Sequence, residues 1–507
     1  MTPAPLSVAV DPHAQGNELV DVFGRRLPYK YLVAIVYVTA LFLDILDVTI
    51  VNVAIPALGR EFATENAEWI VLGYTLSLAV WIPVSGWLGD RLGTKRVFMF
   101  AFGAFVAGSL LCASAQSIEQ LIAFRVVQGI GGGMLTPVGV SMLFRAFPPN
   151  ERAKASTYIM IPTLLAPALG PILGGLLVTH ANWRWIFLIN VPIGLLGLWF
   201  GIRFLKEQKE PTSGRFDLPG FVLSGAALAL VVYALSEGPR SGWGSAPVLI
   251  TLIAGLAAGV ALVWVETHVD QPMLALRLLG DRIFRQCNVV SLLSTMSFLG
   301  LLFVMPLYLQ LLRGQDAFHS GLTTFPQALG VLITSQFAGR LYARIGPRRL
   351  MTSGLFAAGL VISMFIGLDE STSLWLIRGM MFLRGLCMGF AFVPMQAASY
   401  ATIAPADNGR ASAIFSTQRQ VAVSLGVAVL ASVLASYMSL SRPPLPEDVG
   451  EALKGYRIAF GFAVGFAFAA AVAAWFIKDS DAAGTMAARR PADASSAATA
   501  TRQEATT

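Results

Sequence analysis

An all-α polytopic membrane protein, two six-helix bundles with two further helices inserted between them, is the fold class this sequence predicts. Three observations predict it. Of the 507 residues, 55% are hydrophobic and 13% charged, against roughly 25% charged in soluble domains, and a soluble core cannot absorb that much apolar surface. Fourteen apolar runs approach the length a bilayer crossing requires, about 20 residues as a helix. A loop motif also recurs at matched places in the two halves of the chain.

In chain order the runs are 31–55, 69–88, 97–115, 121–143, 158–178 and 186–202, then 218–235 and 248–265, then 289–311, 322–337, 350–368, 374–398, 413–434 and 456–477. Backbone polar groups in lipid must be satisfied within the segment, so each run, the shorter ones included, reads as a helix with longer true ends. None alternates apolar and polar residues as a membrane barrel strand does. An even number of spans puts both termini on one side. Of 36 Lys and Arg, 25 lie in the tails and alternate loops, seven in the opposite loops and four inside spans. The positive-inside bias places both termini in the cytoplasm.

The resulting division is a cytoplasmic N-tail (1–28), a six-helix bundle (29–205), a linker with two extra spans (206–286), a second bundle (287–478) and a disordered cytoplasmic C-tail (479–507). The C-tail is rich in Ala, Ser and Thr and has no apolar periodicity. Asp11, Glu18 and Asp21 precede Arg25 and Arg26, and the first apolar run exceeds a signal-peptide core, so no cleaved signal is expected.

The repeated loop reads Gly86-Trp-Leu-Gly-Asp90-Arg91-Leu-Gly93-Thr-Lys95-Arg96 after the second run and Gly339-Arg-Leu-Tyr-Ala343-Arg344-Ile-Gly346-Pro-Arg348-Arg349 after the tenth. Parallel repeats of this kind belong to transporters that rock around a site between their halves.

Other classes are excluded by what the spans and loops carry. The net charge of +7 comes from short basic clusters between runs. The lipid bilayer, not nucleic acid, is therefore the expected partner. Cys112, Cys287 and Cys387 are odd in number and lack metal-type spacing, so they read as packing residues, with no disulfide and no metal. Four histidines are scattered in a tail, loops and span ends, no Ser/His/Asp constellation appears, and no soluble domain is large enough to hold a nucleotide. The chain is not an enzyme and needs no cofactor; its energy comes from an ion gradient. Gly129-Ile-Gly131-Gly132-Gly133, inside an apolar run with no strand before it, reads as close helix packing rather than a phosphate loop.

The chemistry should lie with ionisable residues inside the spans. Asp44 and Asp47 are the two acids there, three residues apart and on one helix face. Each costs about 2.5–3.5 kcal/mol at the bilayer centre, which favours function over structure. Arg125, in the fourth run, has few partners except these acids. A pair of Arg125 with Asp47 or Asp44 is the expected proton relay, and an Arg125 that reaches to the interface is the alternative. Arg384 and Arg419 are deep cations of the second half. With Asn52, Gln128 and Tyr308 they are candidates for a substrate cavity.

The segment from Gly86 to Arg96 resembles the loop signature of the major facilitator superfamily, and the fourteen spans resemble its drug:proton antiporter branch. Leu46-Asp47-Val-Thr49-Ile-Val-Asn52-Val-Ala-Ile-Pro56 is similar to the first-helix motif of that branch. Arg125-Val-Val-Gln128-Gly129-Ile-Gly131 resembles its membrane-embedded arginine motif, and Gly170-Pro171-Ile-Leu-Gly174-Gly175 its antiporter motif, with Ala166 where glycine is usual. Trp183-Arg184-Trp185-Ile-Phe-Leu-Ile-Asn190-Val-Pro192 is typical of its fourteen-helix exporters. The resemblance implies a major facilitator fold and proton-coupled export of small amphipathic compounds by alternating access. It also implies a conformational switch at Gly86, Asp90, Arg91, Gly93, Lys95 and Arg96 and a hinge at Gly170, Pro171, Gly174 and Gly175. Ala343 replaces the acid in the second loop copy, so the switch role goes to Asp90 alone.

With two acids in the spans, neutral, zwitterionic or singly charged substrates are expected. The Arg-over-Lys bias suits the cytoplasmic membrane of a GC-rich bacterium. A transporter of one specific metabolite and a non-transporting membrane sensor are the competing readings, and the sequence assigns no periplasmic or other protein partner.

Overall fold

The computed structural model describes residues 17–63, 69–148, 151–208, 216–269, 272, 274–404, 407–438 and 444–486. The first half holds α1 (Tyr29–Glu61), α2 (Trp69–Leu92), α3 (Thr94–Ser114), α4 (Ile118–Ala146), α5 (Arg152–His180) and α6 (Asn190–Phe204, entered through a short helix at Trp185–Leu188). Between the halves lie α7 (Leu218–Ser241) and α8 (Ala246–His268). The second half holds α9 (Arg282–Leu307), α10 (Pro326–Ile345), α11 (Pro347–Met364), α12 (Leu374–Ser399), α13 (Asn408–Ala435) and α14 (Val449–Trp475). Among the described residues, 13 helical segments are long and apolar enough to cross a membrane. The exception is α10, where Gln327, Gln336, Arg340 and Arg344 dilute the apolar run.

Packing repeats with the sequence. In the first half α4 is the central helix against α2 and α3, while α1 packs on α5 and α6. In the second, α12 takes α10 and α11, while α9 packs on α13 and α14. The halves meet along two seams, α2 with α13 and α5 with α10. Hydrogen bonds join them toward the face that carries both chain ends. Ser412 Oγ donates to the Pro137 carbonyl (2.8 Å) and Thr157 Oγ1 to the Ser335 carbonyl (3.3 Å). The Arg152 guanidinium donates to the Tyr400 carbonyl.

The inserted pair has one role in packing. Helix α7, capped by Asp217 accepting from Gly220 N (2.9 Å), lies against both α2 and α13. Helix α8 packs on α7 and turns Ile250, Ile253, Val260 and Trp264 outward, as a helix does whose free face meets lipid.

Both chain ends carry more order than the sequence suggests. Strands β1 (Leu19–Val22) and β2 (Arg25–Pro28) form an antiparallel hairpin ahead of α1. Its turn residues Phe23 and Gly24 have φ of 52° and 81°, the sign that two-residue hairpin turns require. Phe23 stacks on Trp199, and Lys206 pairs with Glu18 at 2.5 Å. The C-tail expectation needs correction over its first residues. Asp479–Thr485 form a 3₁₀ helix with Ala482 and Thr485 buried, and Thr485 bonds to the Tyr342 hydroxyl. Small side chains that fit against α10 and α11 replace the apolar periodicity a longer helix would show. The remainder of that expectation, 487–507, lies outside the described residues.

Candidate functional site

A polar network lies inside the first bundle. Asp47 and Arg125 are both 0% exposed, and they form an ion pair through Arg125 Nη1 and Asp47 Oδ2. Arg125 Nη1 also donates to Gln128 Oε1 (2.8 Å), and Arg125 Nε to the Ile70 carbonyl (3.1 Å). Two amides complete the Asp47 shell, with Gln128 Nε2 donating to Oδ1 at 3.0 Å and Asn190 Nδ2 at 2.9 Å. Ser109 Oγ accepts from Gln128 Nε2 (2.8 Å). Helices α1, α3, α4 and α6 thus each send a polar side chain to one point. Such a site tolerates charge because both oxygens of the carboxylate meet donors.

Asp44, one turn earlier on α1, has a separate partner. The Tyr74 hydroxyl donates to Asp44 Oδ1, and the Tyr74 ring lies under the Arg125 guanidinium, 4.1 Å from its centroid. Tyr74 therefore connects the two acids. Of the two pairings the sequence allowed, the structure gives Arg125 to Asp47, and Arg125 does not reach an interface. Ring and acid leave no room on α4, where a Cβ at Gly132 would press on Asp44 Oδ1. Close helix packing is what Gly129, Gly131 and Gly133 provide as well, each against neighbouring backbone. Tyr74, Ser109 and Asn190 were not singled out from sequence. Their signal was a lone polar group in an otherwise apolar span.

A cavity lies between the halves, walled mainly by Ile159, Met160, Phe298, Leu299, Phe392 and Phe415. Among the described residues Arg419 is the only charged side chain that lines it, and no carboxylate contributes to its wall. The hydroxyls of Tyr37 and Ser291, both 1% exposed, line the same space without a protein partner among the described residues. Arg384 sits behind the wall, fully buried, over the ring of Phe298 (4.7 Å). It donates to Gln327 Oε1 and to the Phe298 carbonyl (2.9 Å). Gln128 belongs to the Asp47 network and not to this cavity. Tyr308 also lies elsewhere, just past the end of the 26-residue α9, where a π-helical turn (Tyr308–Leu312) begins. There it donates to the Asp369 carbonyl (2.6 Å) and packs on Tyr456. The side chain of Asn52 lies outside the described residues.

On the face that carries the chain ends, Asp90 pairs with Arg145 of α4 at 2.7 Å, both nearly fully buried. Asp90 also touches Gly409 at the start of α13, across the seam. Gly86 meets the Gly409 backbone so closely that a Cβ there would clash. Arg91 is exposed. Lys95 Nζ donates to the last carbonyls of α6, Ile202 (2.9 Å) and Leu205 (2.5 Å). Arg96 approaches Glu207 at 3.6 Å.

The two loop copies share one construction. Gly93 and Gly346, with φ of 104° and 83°, start α3 and α11. In the first copy Glu207 accepts from the backbone N–H of Lys95 (3.0 Å) and Arg96 (3.2 Å). In the second, Asp479 accepts from the Arg348 N–H (2.9 Å). The residues that bear these carboxylates follow the last helix of each half in matching strings, Phe204-Leu-Lys-Glu207 and Phe476-Ile-Lys-Asp479. A carboxylate at a helix N-terminus satisfies unpaired N–H groups and the helix dipole.

Helix α5 runs through the Gly170 motif without interruption from Arg152 to His180. Gly170 meets Thr49 of α1 with no space for a Cβ, Gly174 is buried, and Gly175 faces open space. The Pro171 side chain lies outside the described residues.

Comparison with known proteins adds the following. The Major Facilitator Superfamily pattern matches residues 37–426 and, in a second alignment, 287–503. A multidrug resistance protein B homolog of Mycobacterium tuberculosis is 38% identical over 399 residues, 77% of this chain and 73% of that protein. A putative multidrug resistance protein MdtD of Cronobacter sakazakii is 32% identical over 418 residues, 81% of this chain and 87% of that protein. Among solved structures, the human organic anion transporter MFSD10 (TETRAN) superposes with a TM-score of 0.64 at 17% identity, covering 88% of this chain and 100% of that one. The proton:xylose symporter XylE gives 0.60 at 14% identity, covering 89% and 96%.

Proposed function

The chain belongs to the major facilitator superfamily, and on that premise we propose that it is a proton-coupled antiporter exporting small amphipathic compounds across the cytoplasmic membrane by alternating access. As a member it is a transporter of small molecules and not an enzyme. The observation that carries the finer reading is the Asp47–Arg125 pair, a titratable carboxylate and its counter-ion held together without water contact inside one bundle. An intramembrane acid of this kind marks a proton path. A proton on Asp47 removes the charge opposite Arg125 and one acceptor of the donor shell. The energy of the bundle then depends on its proton occupancy, and the coupling requires such a dependence. The names borne by the relatives from M. tuberculosis and C. sakazakii support drugs as cargo.

Alternating access needs a lock that can break. Asp90, held by Arg145 and set against the start of α13, closes the face of the chain ends; the basic residues assign that face to the cytoplasm. In this arrangement the conformer is closed toward the cytoplasm. Labelling of single cysteines placed in the loop at 242–245 from outside intact cells tests the orientation.

The central test is efflux of an amphipathic dye from proteoliposomes under an imposed pH gradient. Asp47→Asn, which cannot titrate, is expected to abolish gradient-driven efflux in a protein that still inserts. Near-normal transport by that variant moves the proton to Asp44, and the double variant with Asp44→Asn then decides whether either acid carries it.

A further inference from the structure

We propose that the cavity between the halves holds an anionic group of its substrate, a carboxylate or sulfonate on an amphipathic body, with Arg419 as its direct partner. The inference rests on the export reading in taking this cavity as the cargo site, and it narrows the substrate class beyond that reading.

Four observations converge on one place. Arg419 lines the cavity, and among the described residues it has neither an ion pair nor a hydrogen bond. No acid shares the wall. Asp44 is engaged by Tyr74 and lies outside the lining, acting on Arg419 only through its field. Tyr37 and Ser291 present buried hydroxyls without partners into the same space, and O–H donors are what an anion's oxygens accept from. Lastly, Arg384 adds a second positive charge one ring behind the wall. Its partners are Gln327 and two backbone carbonyls, with no carboxylate among the described residues.

Arg419 is half-buried and Arg384 fully buried; holding cations there with no carboxylate in contact costs free energy, and the first bundle meets the same problem at Arg125 by supplying Asp47. In the second bundle the missing negative charge can arrive with the cargo. The remaining wall is aromatic and aliphatic, with Phe298, Phe392 and Phe415 as its largest members, which suits the apolar body of such a molecule. Arg384 does not touch the cavity; it acts as a positioning residue through Phe298 and by its field. A cationic substrate would face Arg419 with no acid in the wall among the described residues, so this chemistry selects against it.

Binding to the full chain in nanodiscs tests the proposal with two probes that differ by one group. They are 8-anilinonaphthalene-1-sulfonate and the uncharged N-phenyl-1-naphthylamine, each corrected for empty nanodiscs. The sulfonate is expected to bind about tenfold tighter or more, a preference lost in Arg419→Gln and largely kept in Arg419→Lys. Equal affinities in the unaltered protein overturn the proposal, and so does a sulfonate preference that survives Arg419→Gln. The first comparison needs no variant, so a poorly folded one does not weaken the test. Movement of the same probes into acid-interior and neutral proteoliposomes separates the two readings. Sulfonate binding at Arg419 without gradient-driven movement would leave the anion site standing and remove proton-coupled export. Gradient-driven movement of both probes without a binding preference would do the reverse.

Discussion

Arg125 on α4 and Arg384 on α12 occupy matching places in the two halves, and each is fully buried. Their surroundings differ in one respect. Arg125 faces a carboxylate inside a shell of amides, whereas Arg384 faces an amide and two carbonyls. The loops repeat the contrast, since Asp90 has Ala343 as its counterpart, while the capping carboxylates Glu207 and Asp479 are present in both. The duplicated features, the capping carboxylates and loop bases included, are those that build the bundle, and the unduplicated ones are the acids Asp47 and Asp90. An internal repeat thus sets the frame twice and leaves the electrostatics free to diverge, one half holding a carboxylate–guanidinium pair and the other a guanidinium with no carboxylate partner among the described residues.

Removing the two arginines should break or sharpen that contrast most strongly. Arg125→Gln leaves Asp47 buried and without its cation, and is expected to cost about 3–5 kcal/mol in thermal unfolding. Arg384→Gln has no carboxylate to strand and is expected to cost under about 2 kcal/mol. Equal losses would mean that Arg384 has a charged partner after all.

The loops give a smaller effect. Asp90→Asn removes the negative charge set across the seam against the start of α13, worth about 1 kcal/mol at a helix N-terminus, and is expected to shift the balance between closed and open conformers about fivefold. Spin labels at the exposed positions Lys154 and Arg340 would report a longer distance across the seam between α5 and α10. Ala343→Asp in the second copy should leave that distance unchanged. The smallest effect tests what the halves share. Glu207→Gln and Asp479→Asn should each lower stability by about 0.5–1 kcal/mol, and a loss confined to one of them would mean that the two caps are not equivalent.

Much of the frame was legible because membrane helices announce themselves by length and apolarity, and the repeated loop locates the second half. Asp47 and Arg125 stood out for a related reason, since a charge in an apolar run is conspicuous. Their pairing was not decided by spacing, because Asp44 and Asp47 share a face and the choice depends on Tyr74, which arrives from another helix. Tyr308 was misplaced because it lies ten residues, about 15 Å along the helix axis, beyond the cavity residue Phe298. The order at 479–485 was hidden for a different reason: Asp479 and Thr485 are fixed by contacts with α11 and α10, not by any local preference. Glu207 and Asp479 follow their helices in matching strings, a signal present in the sequence but too short to notice before the geometry gave it meaning.

Helix α7 lies along the α2–α13 seam, with α8 beyond it toward lipid. That position has a consequence for how a solute dissolved in the bilayer reaches the interior. One of the two lateral slits between the halves is covered by an additional layer of protein, while the α5–α10 slit has no such cover. A hydrophobic molecule partitioned into a leaflet would therefore approach from one side of the transporter, and the molecule has a front and a back within the plane of the membrane.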